Sequence, residues 1–201
     1  MDKLNWAVLG TGVVANQMAQ AMQGMGCKLY AVGNRTHSKA VDFADKYGIE
    51  KVYDDLNDMF YDDNVDVIYI TSPHNTHIDF IMKALENGKH ILCEKSITLN
   101  SVELEKALKK ADGKNLVLAE AMTIYHMPLY KKLMKLVADG EIGDVTKVEC
   151  ATDRPIWPQG LNVPEKEDRI PKTLNWDLFT GPAKMNPYNE IYHPWNWRGW
   201  G

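Results

Sequence analysis

The chain has 201 residues, of which 25% are charged, and its formal net charge is −4 at pH 7. This length accommodates one full α/β domain and part of another. The weakly acidic balance gives no support to nucleic-acid binding, so we expect no nucleic-acid partner. Three scattered cysteines without a C-x-x-C pair argue against a disulfide framework or zinc site, and the absence of a signal peptide or long apolar run predicts a cytoplasmic protein without membrane contact.

The chain begins with a glycine-rich turn between an apolar segment and a helical one. Residues 6–9 predict a short buried strand and residues 13–25 a helix. The turn between them matches the G-x-G-x-x-A form of the dinucleotide-binding fingerprint. Similar turns also occur in parallel sheets that bind no ligand. The turn alone therefore does not establish a dinucleotide site, and the residues at the other strand ends are needed. With a ligand, the cofactor contacts are predicted at Gly10, Thr11, Gly12, Val13, Val14 and Ala15.

Strands and helices alternate over roughly the next 120 residues. We predict strands at 28–33, 51–53, 65–71, 90–93 and 116–119, and helices at 38–47, 55–61, 75–87, 100–111 and 128–140. The β-branched segment 65–71 suits a strand that is covered on both faces. Alternation of this kind predicts a parallel, doubly wound α/β sheet with right-handed crossovers.

The end of the second predicted strand is where a dinucleotide fold meets the adenosine ribose. An acidic residue there binds the 2′-OH of NAD, and a basic residue accepts the 2′-phosphate of NADP. The chain has Asn34, Arg35 and Thr36 at this point, with no carboxylate. We therefore predict that these residues bind NADP, with NAD as the alternative cofactor. The non-functional alternative is that Arg35 is an ordinary surface arginine.

Polar residues follow the fourth predicted strand, at the edge where ligands bind in open parallel sheets. Ser72, Pro73, His74, Asn75 and His77 are predicted to cap the following helix and to contact the cofactor. Two histidines three residues apart could suggest a metal, but no third ligand has suitable spacing, so no metal is predicted.

Glu94 and Lys95 follow the fifth predicted strand and reach the same edge of the sheet. Such a pair on a helix face is usually an exposed ion pair without a functional role. This pair ends an apolar strand instead, which favours a functional role. We predict that both residues contact the cofactor and that Lys95 hydrogen-bonds to, or deprotonates, a substrate hydroxyl.

Three motifs thus stand at successive strand ends, namely Gly10-x-Gly12-x-x-Ala15, Ser72-Pro73-x-Asn75-x-x-His77 and Glu94-Lys95. Together they resemble the Gfo/Idh/MocA family of NAD(P)-dependent oxidoreductases over residues 4–149. Segments 92–100 and 119–128 are similar to its dihydrodiol dehydrogenase-like branch. The family motif continues with proline where this chain has Ser96, so this loop need not share the family's backbone geometry.

The resemblance implies a Rossmann domain, NADP, hydride exchange with a sugar, polyol or diol carbon, and a homo-oligomer. We expect the dinucleotide-binding domain at 1–122 and the start of an incomplete α+β domain for substrate and oligomerisation at 123–201. Residues 141–149 resemble the first strand of that second sheet. Lys95 is the predicted catalytic residue, with His77 and His126 as further candidates.

The composition changes near Cys150, since seven of nine prolines and five of six tryptophans follow it. Segments 153–161, 176–182 and 194–200 resemble the substrate-side loop of a different, MocA-like branch, which suggests a chimeric or truncated chain. We expect 151–201 to pack loosely or to pair with another chain. The alternatives to an oxidoreductase are a cofactor-binding fragment and an NADP-sensing protein, both with little or no turnover.

Overall fold

Six parallel strands form one sheet in the computed structural model, which describes residues 4–151, 162–192 and 196–199. The strands are β1 Trp6–Leu9, β2 Ala31–Gly33, β3 Lys51–Val52, β4 Val67–Ile70, β5 His90–Cys93 and β6 Leu118–Glu120. Their order across the sheet is β3-β2-β1-β4-β5-β6, and all neighbours are parallel. This is the strand order of a doubly wound dinucleotide-binding sheet, so the predicted fold is confirmed.

Helices connect the strands and follow the last one. They are α1 Val13–Gly24, α2 His37–Tyr47, α3 Asp58–Tyr61, α4 His77–Glu86, α5 Ser101–Gly113, α6 Pro128–Ala138 and α7 Trp176–Thr180. The Asn100 side chain caps α5 by accepting a hydrogen bond from the Glu103 N–H at 2.9 Å. Gly88 follows α4 with a left-handed φ of +73°, as expected of a glycine at a helix end. Among the described helices, none is long and apolar enough to cross a membrane.

Apolar side chains cover both faces of the sheet. On one face, Ala15 of α1 and Phe43 of α2 pack in one cluster with Val8 of β1. On the other face, Ile81 of α4 packs in a second cluster with Ile68 of β4. All four residues of β4 are buried, which confirms the prediction of a strand covered on both faces. Ala15 is completely buried, as expected where α1 must approach the sheet closely.

A hydrogen-bond network ties together the amino ends of several strands. The Asp62 carboxylate accepts hydrogen bonds from Lys51 Nζ and the Tyr53 hydroxyl, both at 2.7 Å, and from the Tyr30 hydroxyl at 3.3 Å. Lys89, which is 5% exposed, donates to the Asp62 carbonyl at 2.7 Å. Because Tyr30, Asp62 and Lys89 each precede a strand, the network lies at the edge of the sheet opposite to the one where ligands bind.

The chain divides into two compact units, Met1–Met134 and Lys135–Gly201. In the second unit, the Trp176 ring stacks on Phe179 and Tyr192, with centroids 5.4 and 5.8 Å apart, and meets Tyr188 edge-on at 5.1 Å. Tyr188 and Tyr192 are buried. An aromatic cluster around Trp176 therefore holds part of residues 162–192 together, although most of these residues are exposed. The expectation that residues 151–201 pack loosely or pair with another chain stays a prediction.

The strand predicted at 141–149 does not form. These residues are exposed and have no regular strand structure. A strand is stable when a neighbouring strand satisfies its N–H and C=O groups, and no described strand pairs with this segment. The tail segment 153–161 lies outside the described residues, as do positions 194, 195 and 200 of the last tail segment.

Candidate functional site

The turn after β1 is built around two glycines with different roles. Gly10 has a φ of +113°, and a Cβ there would lie 2.3 Å from Thr71 Oγ1, so the fold itself requires glycine. At Gly12, a Cβ would meet no atom within 4 Å. The helix α1 begins at Val13, and the N–H groups of its first turn have no partner within the helix. Open space beside unpaired donors and the positive end of a helix dipole fits a diphosphate.

A cavity of about 650 Å³ lies at the carboxyl edge of the sheet. It is bounded by the loops after β1, β2 and β4 and by one face of α2. Its lining residues are Leu9, Gly10, Thr11, Gly12, Asn16, Asn34, Arg35, Thr36, Lys39, Asp42, Phe43, Lys46, Leu56, Thr71, Ser72, Pro73, Thr76 and Phe80. The cavity therefore spans the point between β1 and β4 where the strand order reverses, the usual ligand position in open α/β sheets.

The loop after β2 brings three polar residues to the cavity. Asn34 donates a hydrogen bond from its amide to Thr11 Oγ1, and its side-chain oxygen accepts one from the Thr36 N–H at 3.1 Å. These two contacts connect the β2 loop to the glycine turn. Arg35 is exposed, and in the described part of the chain no carboxylate pairs with it. Its guanidinium is therefore available to an anion.

One face of α2 forms a wall of the cavity that the sequence analysis missed. Lys39, Asp42, Phe43 and Lys46 all line it. Their spacing of three, four and seven residues from Lys39 is that of a single helix face, so helical periodicity was the signal that could have identified them. Arg35 and the two lysines give the cavity lining three positive charges, against one negative charge from Asp42. This excess of positive charge suits a phosphate.

The loops after β4 and β5 are joined by two histidines. His74 Nε2 lies 2.8 Å from the Lys95 carbonyl oxygen. His77 is completely buried, with Nδ1 3.0 Å from the Ser96 carbonyl oxygen and Nε2 2.9 Å from that of Ser72. An enclosed imidazole with both nitrogens facing backbone carbonyls is out of a substrate's reach, so His77 holds the Lys95 loop in place and does not have the predicted catalytic position.

Glu94 lies beside the Lys95 loop and is held by Tyr69 of β4. The Tyr69 hydroxyl donates to Glu94 Oε1. Burial, followed by this hydrogen bond to a carboxylate, raises the pKa of Tyr69 above its ordinary value, so the hydroxyl stays a donor. Burial and the nearby Glu94 and Glu120 carboxylates raise the pKa of Cys93 to about 12. The carboxyl end of β5 therefore has one fixed carboxylate and one protonated thiol.

The cavity includes about half of the predicted site residues. Those that line it are Gly10, Thr11, Gly12, Asn34, Arg35, Thr36, Ser72 and Pro73. Those that do not are Val13, Val14, Ala15, His74, Asn75, His77, Glu94, Lys95 and His126. Ala15 is buried behind the glycine turn, which excludes it from side-chain contact with a cofactor. Lys95 is exposed beside the β5 end, and His126 is exposed on the 3₁₀ turn Thr123–His126.

Comparison with known proteins also identifies a dinucleotide-binding fold, in agreement with the strand order and the glycine turn. Residues 4–122 match the Gfo/Idh/MocA family, described as an oxidoreductase family with an NAD-binding Rossmann fold. The trans-1,2-dihydrobenzene-1,2-diol dehydrogenase of Xenopus laevis is 30% identical over 155 residues, which are 76% of this chain and 47% of that protein. The D-xylose 1-dehydrogenase (NADP(+)) of Hypocrea jecorina is 32% identical over 155 residues, 71% of this chain and 40% of that protein.

A solved structure is also similar. A variant of a 3-ketoreductase from Actinomadura kijaniata, in complex with NADP and TDP-benzene, superposes with a TM-score of 0.64 and 25% sequence identity over 72% of this chain and 45% of that one. The chain thus spans about half the length of the relatives it matches, or less. Because the family match covers more than half of the chain and agrees with the strand order and glycine turn, the chain belongs to the Gfo/Idh/MocA family of oxidoreductases with an NAD-binding Rossmann fold.

Proposed function

We propose that the protein is an NADP-dependent oxidoreductase that transfers a hydride between the nicotinamide ring and a carbon of a sugar, polyol or diol. The observation that carries the cofactor preference is the end of β2, where residues 34–36 include no carboxylate and Arg35 has no ion-pair partner within the described part of the chain. A guanidinium suits the 2′-phosphate of NADP, whereas NAD recognition uses a carboxylate on the 2′-OH.

The cavity residues would hold the cofactor in three parts. The N–H groups at the start of α1, beside Gly12, would bind the diphosphate. Arg35 and Lys39 would bind the 2′-phosphate, and the apolar side chains of Leu56 and Phe80 suit the adenine ring. The names of two relatives support this cofactor, because the xylose dehydrogenase carries NADP(+) in its name and the 3-ketoreductase was solved with NADP.

The substrate class rests on the relatives, whose names specify a diol and a sugar as the compounds they oxidise. When bound, the nicotinamide supplies or accepts the hydride. We propose that Lys95 Nζ exchanges the proton of the reacting hydroxyl, because the lysine is exposed at the carboxyl end of β5 and its loop is held by His74 and His77. His126 is the second candidate for contact with the substrate.

Titration of the protein with NADPH and NADH tests the proposal. Arg35→Ala should weaken NADPH by about tenfold or more and NADH by less than about threefold, because only NADPH has the 2′-phosphate. Arg169→Ala, an exposed arginine in the second unit, serves as the control. Equal weakening of both dinucleotides by Arg35→Ala would contradict the NADP assignment.

Turnover is measured separately, from the absorbance of reduced nicotinamide with a panel of diols, polyols and sugars. Lys95→Ala should leave cofactor affinity largely intact and abolish any turnover, whereas unchanged turnover would exclude Lys95 from the chemistry. Tight binding of NADPH without turnover of any panel compound would favour a cofactor-binding fragment or an NADP-sensing protein.

A further inference from the structure

Asn16, a residue outside the fingerprint glycines, connects the glycine turn to α2. Its Nδ2 donates to the carbonyl oxygens of Thr11, at 3.2 Å, and Gly12, at 2.9 Å. Its Oδ1 accepts from Lys46 Nζ at 2.8 Å and from the Tyr47 hydroxyl at 2.7 Å. Both amide protons and both oxygen lone pairs are therefore used. Carbonyls only accept and a lysine ammonium only donates, so these partners also fix which way the amide faces.

The first pair of contacts supports the orientation of the glycine turn, together with the backbone N–H of Asn16, which also donates to the Gly12 carbonyl at 3.1 Å. In a planar trans peptide, the carbonyl and the N–H of the next residue point in opposite directions. With the carbonyls of Thr11 and Gly12 turned toward Asn16, the N–H groups of Gly12 and Val13 point away from it. Those two N–H groups are among the donors that a diphosphate would need.

The second pair of contacts fixes a positive charge in the cavity wall. Lys46 lines the cavity, and among the described residues no carboxylate lies within ion-pair distance of its ammonium. The amide oxygen of Asn16 orients the ammonium without neutralising it. An aspartate at position 16 would neutralise it and would supply no amide protons to the turn.

We propose that Asn16 is a positioning residue for the dinucleotide. It holds the N–H groups of the glycine turn and the Lys46 ammonium in place for the diphosphate, which NADH and NADPH share. This inference deepens the proposed function and rests on it. It differs from the role of Arg35, because loss of Asn16 should weaken the two dinucleotides equally.

The test uses the full chain and four variants. Asn16→Ala removes all four hydrogen bonds, and Asn16→Asp keeps the size of the side chain while removing both donors and adding a charge. Tyr47→Phe removes one donor to Asn16 from a residue that does not line the cavity. Asn87→Ala is the matched control, because the Asn87 amide donates to the Lys83 carbonyl at 2.8 Å, beyond the end of α4 and away from the cavity.

Dissociation constants for NADPH and NADH are measured by titration, alongside the thermal unfolding midpoint of each variant. We expect Asn16→Ala to raise both constants by the same factor, about tenfold or more, and Asn16→Asp to raise them further. Tyr47→Phe should raise both by about two- to fivefold, and Asn87→Ala should leave both unchanged. A merely structural role would lower the unfolding midpoint without changing the affinity of the folded protein.

Three results separate the outcomes. Folded Asn16→Asp or Asn16→Ala protein with wild-type affinity for both dinucleotides would overturn the inference and leave the proposed function standing. Weakening of NADPH alone would also overturn it, by assigning Asn16 to the 2′-phosphate. Wild-type protein that binds neither dinucleotide would contradict the proposed function itself. If Asn16→Ala does not fold, the isosteric Asn16→Asp and the Tyr47→Phe variant, which changes no cavity-lining residue, still decide the question.

Discussion

An added methyl group at Gly12 would meet only open space, whereas at Gly10 it would strike Thr71. We therefore expect Gly12→Ala to keep the thermal stability of the wild type but to weaken NADPH and NADH about tenfold or more, because the methyl group takes the place of the diphosphate. Gly10→Ala should instead destabilise the fold by at least about 1–3 kcal/mol, because alanine rarely adopts a positive φ. Thermal unfolding and cofactor titration of both variants measure this. A Gly12→Ala protein with the lowered thermal stability expected of Gly10→Ala would contradict the assignment of Gly12 to cofactor binding and of Gly10 to the fold.

The three cysteines should differ in their reactivity with a thiol reagent. Cys150 is exposed, Cys27 is partly exposed, and Cys93 is fully buried with a pKa raised to about 12. Because the thiolate is the reactive form, native protein at pH 8 should be alkylated first at Cys150 and at Cys93 only after unfolding. Peptide mass spectrometry after iodoacetamide treatment gives the order. Early labelling of Cys93 would show that the end of β5 opens readily.

Single residues of the site were predictable where their role depends on the local backbone. The glycine turn and the polar end of β2 were identified because a strand end and a turn have recognisable residues. Lys46 and Asn16 were missed because their role depends on how α1 and α2 pack together. His77 is a further catalytic candidate from the sequence because the sequence does not show that two carbonyls enclose its ring.

The network at the amino edge of the sheet links several strands through Asp62. Burial alone would raise the pKa of its carboxyl, but hydrogen bonds from Lys51, Tyr53 and Asn64 lower it well below the ordinary value of 3.8. The unfolded chain then takes up a proton at a higher pH than the folded protein does. The network's stabilisation is therefore complete at neutral pH and decreases as the pH falls below about 3.8.

We expect Asp62→Asn to be less stable than the wild type at pH 7, with a difference that shrinks as the pH falls below 4. Urea unfolding over this pH range measures the two free energies of unfolding. Asp63→Asn, an exposed neighbour, is the control and should match the wild type throughout. A difference between Asp62→Asn and the wild type that stays constant, or grows, on acidification would contradict the assignment of the lowered pKa.

A second test of the same network is Tyr53→Phe. Tyr53 is 5% exposed and its hydroxyl donates to the Asp62 carboxylate at 2.7 Å. Loss of a buried hydrogen bond to a charged group should cost about 1.5–3 kcal/mol at pH 7. Tyr61→Phe, an exposed tyrosine nearby, should cost almost nothing. Equal stabilities of the two variants in urea unfolding would show that the network contributes little.

Whole elements were predicted well wherever a hydrophobic pattern alone defines them. The alternating pattern located all six strands and five connecting helices with ends displaced by three residues or fewer. The segment 141–149 has a strand-like composition but no described partner, and pairing is a long-range condition that composition does not contain. The short helix α7 was also missed, because its stability comes from the aromatic contacts of Trp176 with residues more than ten positions away.

Of the two compact units of the molecule, the first contains the cavity. Every cavity residue lies between Leu9 and Phe80, within the first unit, Met1–Met134. A fragment of residues 1–134 should therefore fold and bind NADPH with an affinity within about threefold of the full chain, as measured by fluorescence titration. A much weaker affinity of the folded fragment would show that the second unit takes part in cofactor binding.

The central claim is that a dinucleotide places its diphosphate at the N–H groups between β1 and α1. The most direct test is the structure of the protein crystallised with NADPH. We predict that the diphosphate oxygens lie within hydrogen-bond distance of the N–H groups of Gly12 and Val13, with the 2′-phosphate beside Arg35. A dinucleotide bound elsewhere, or crystals without bound cofactor at saturating NADPH, would contradict the account.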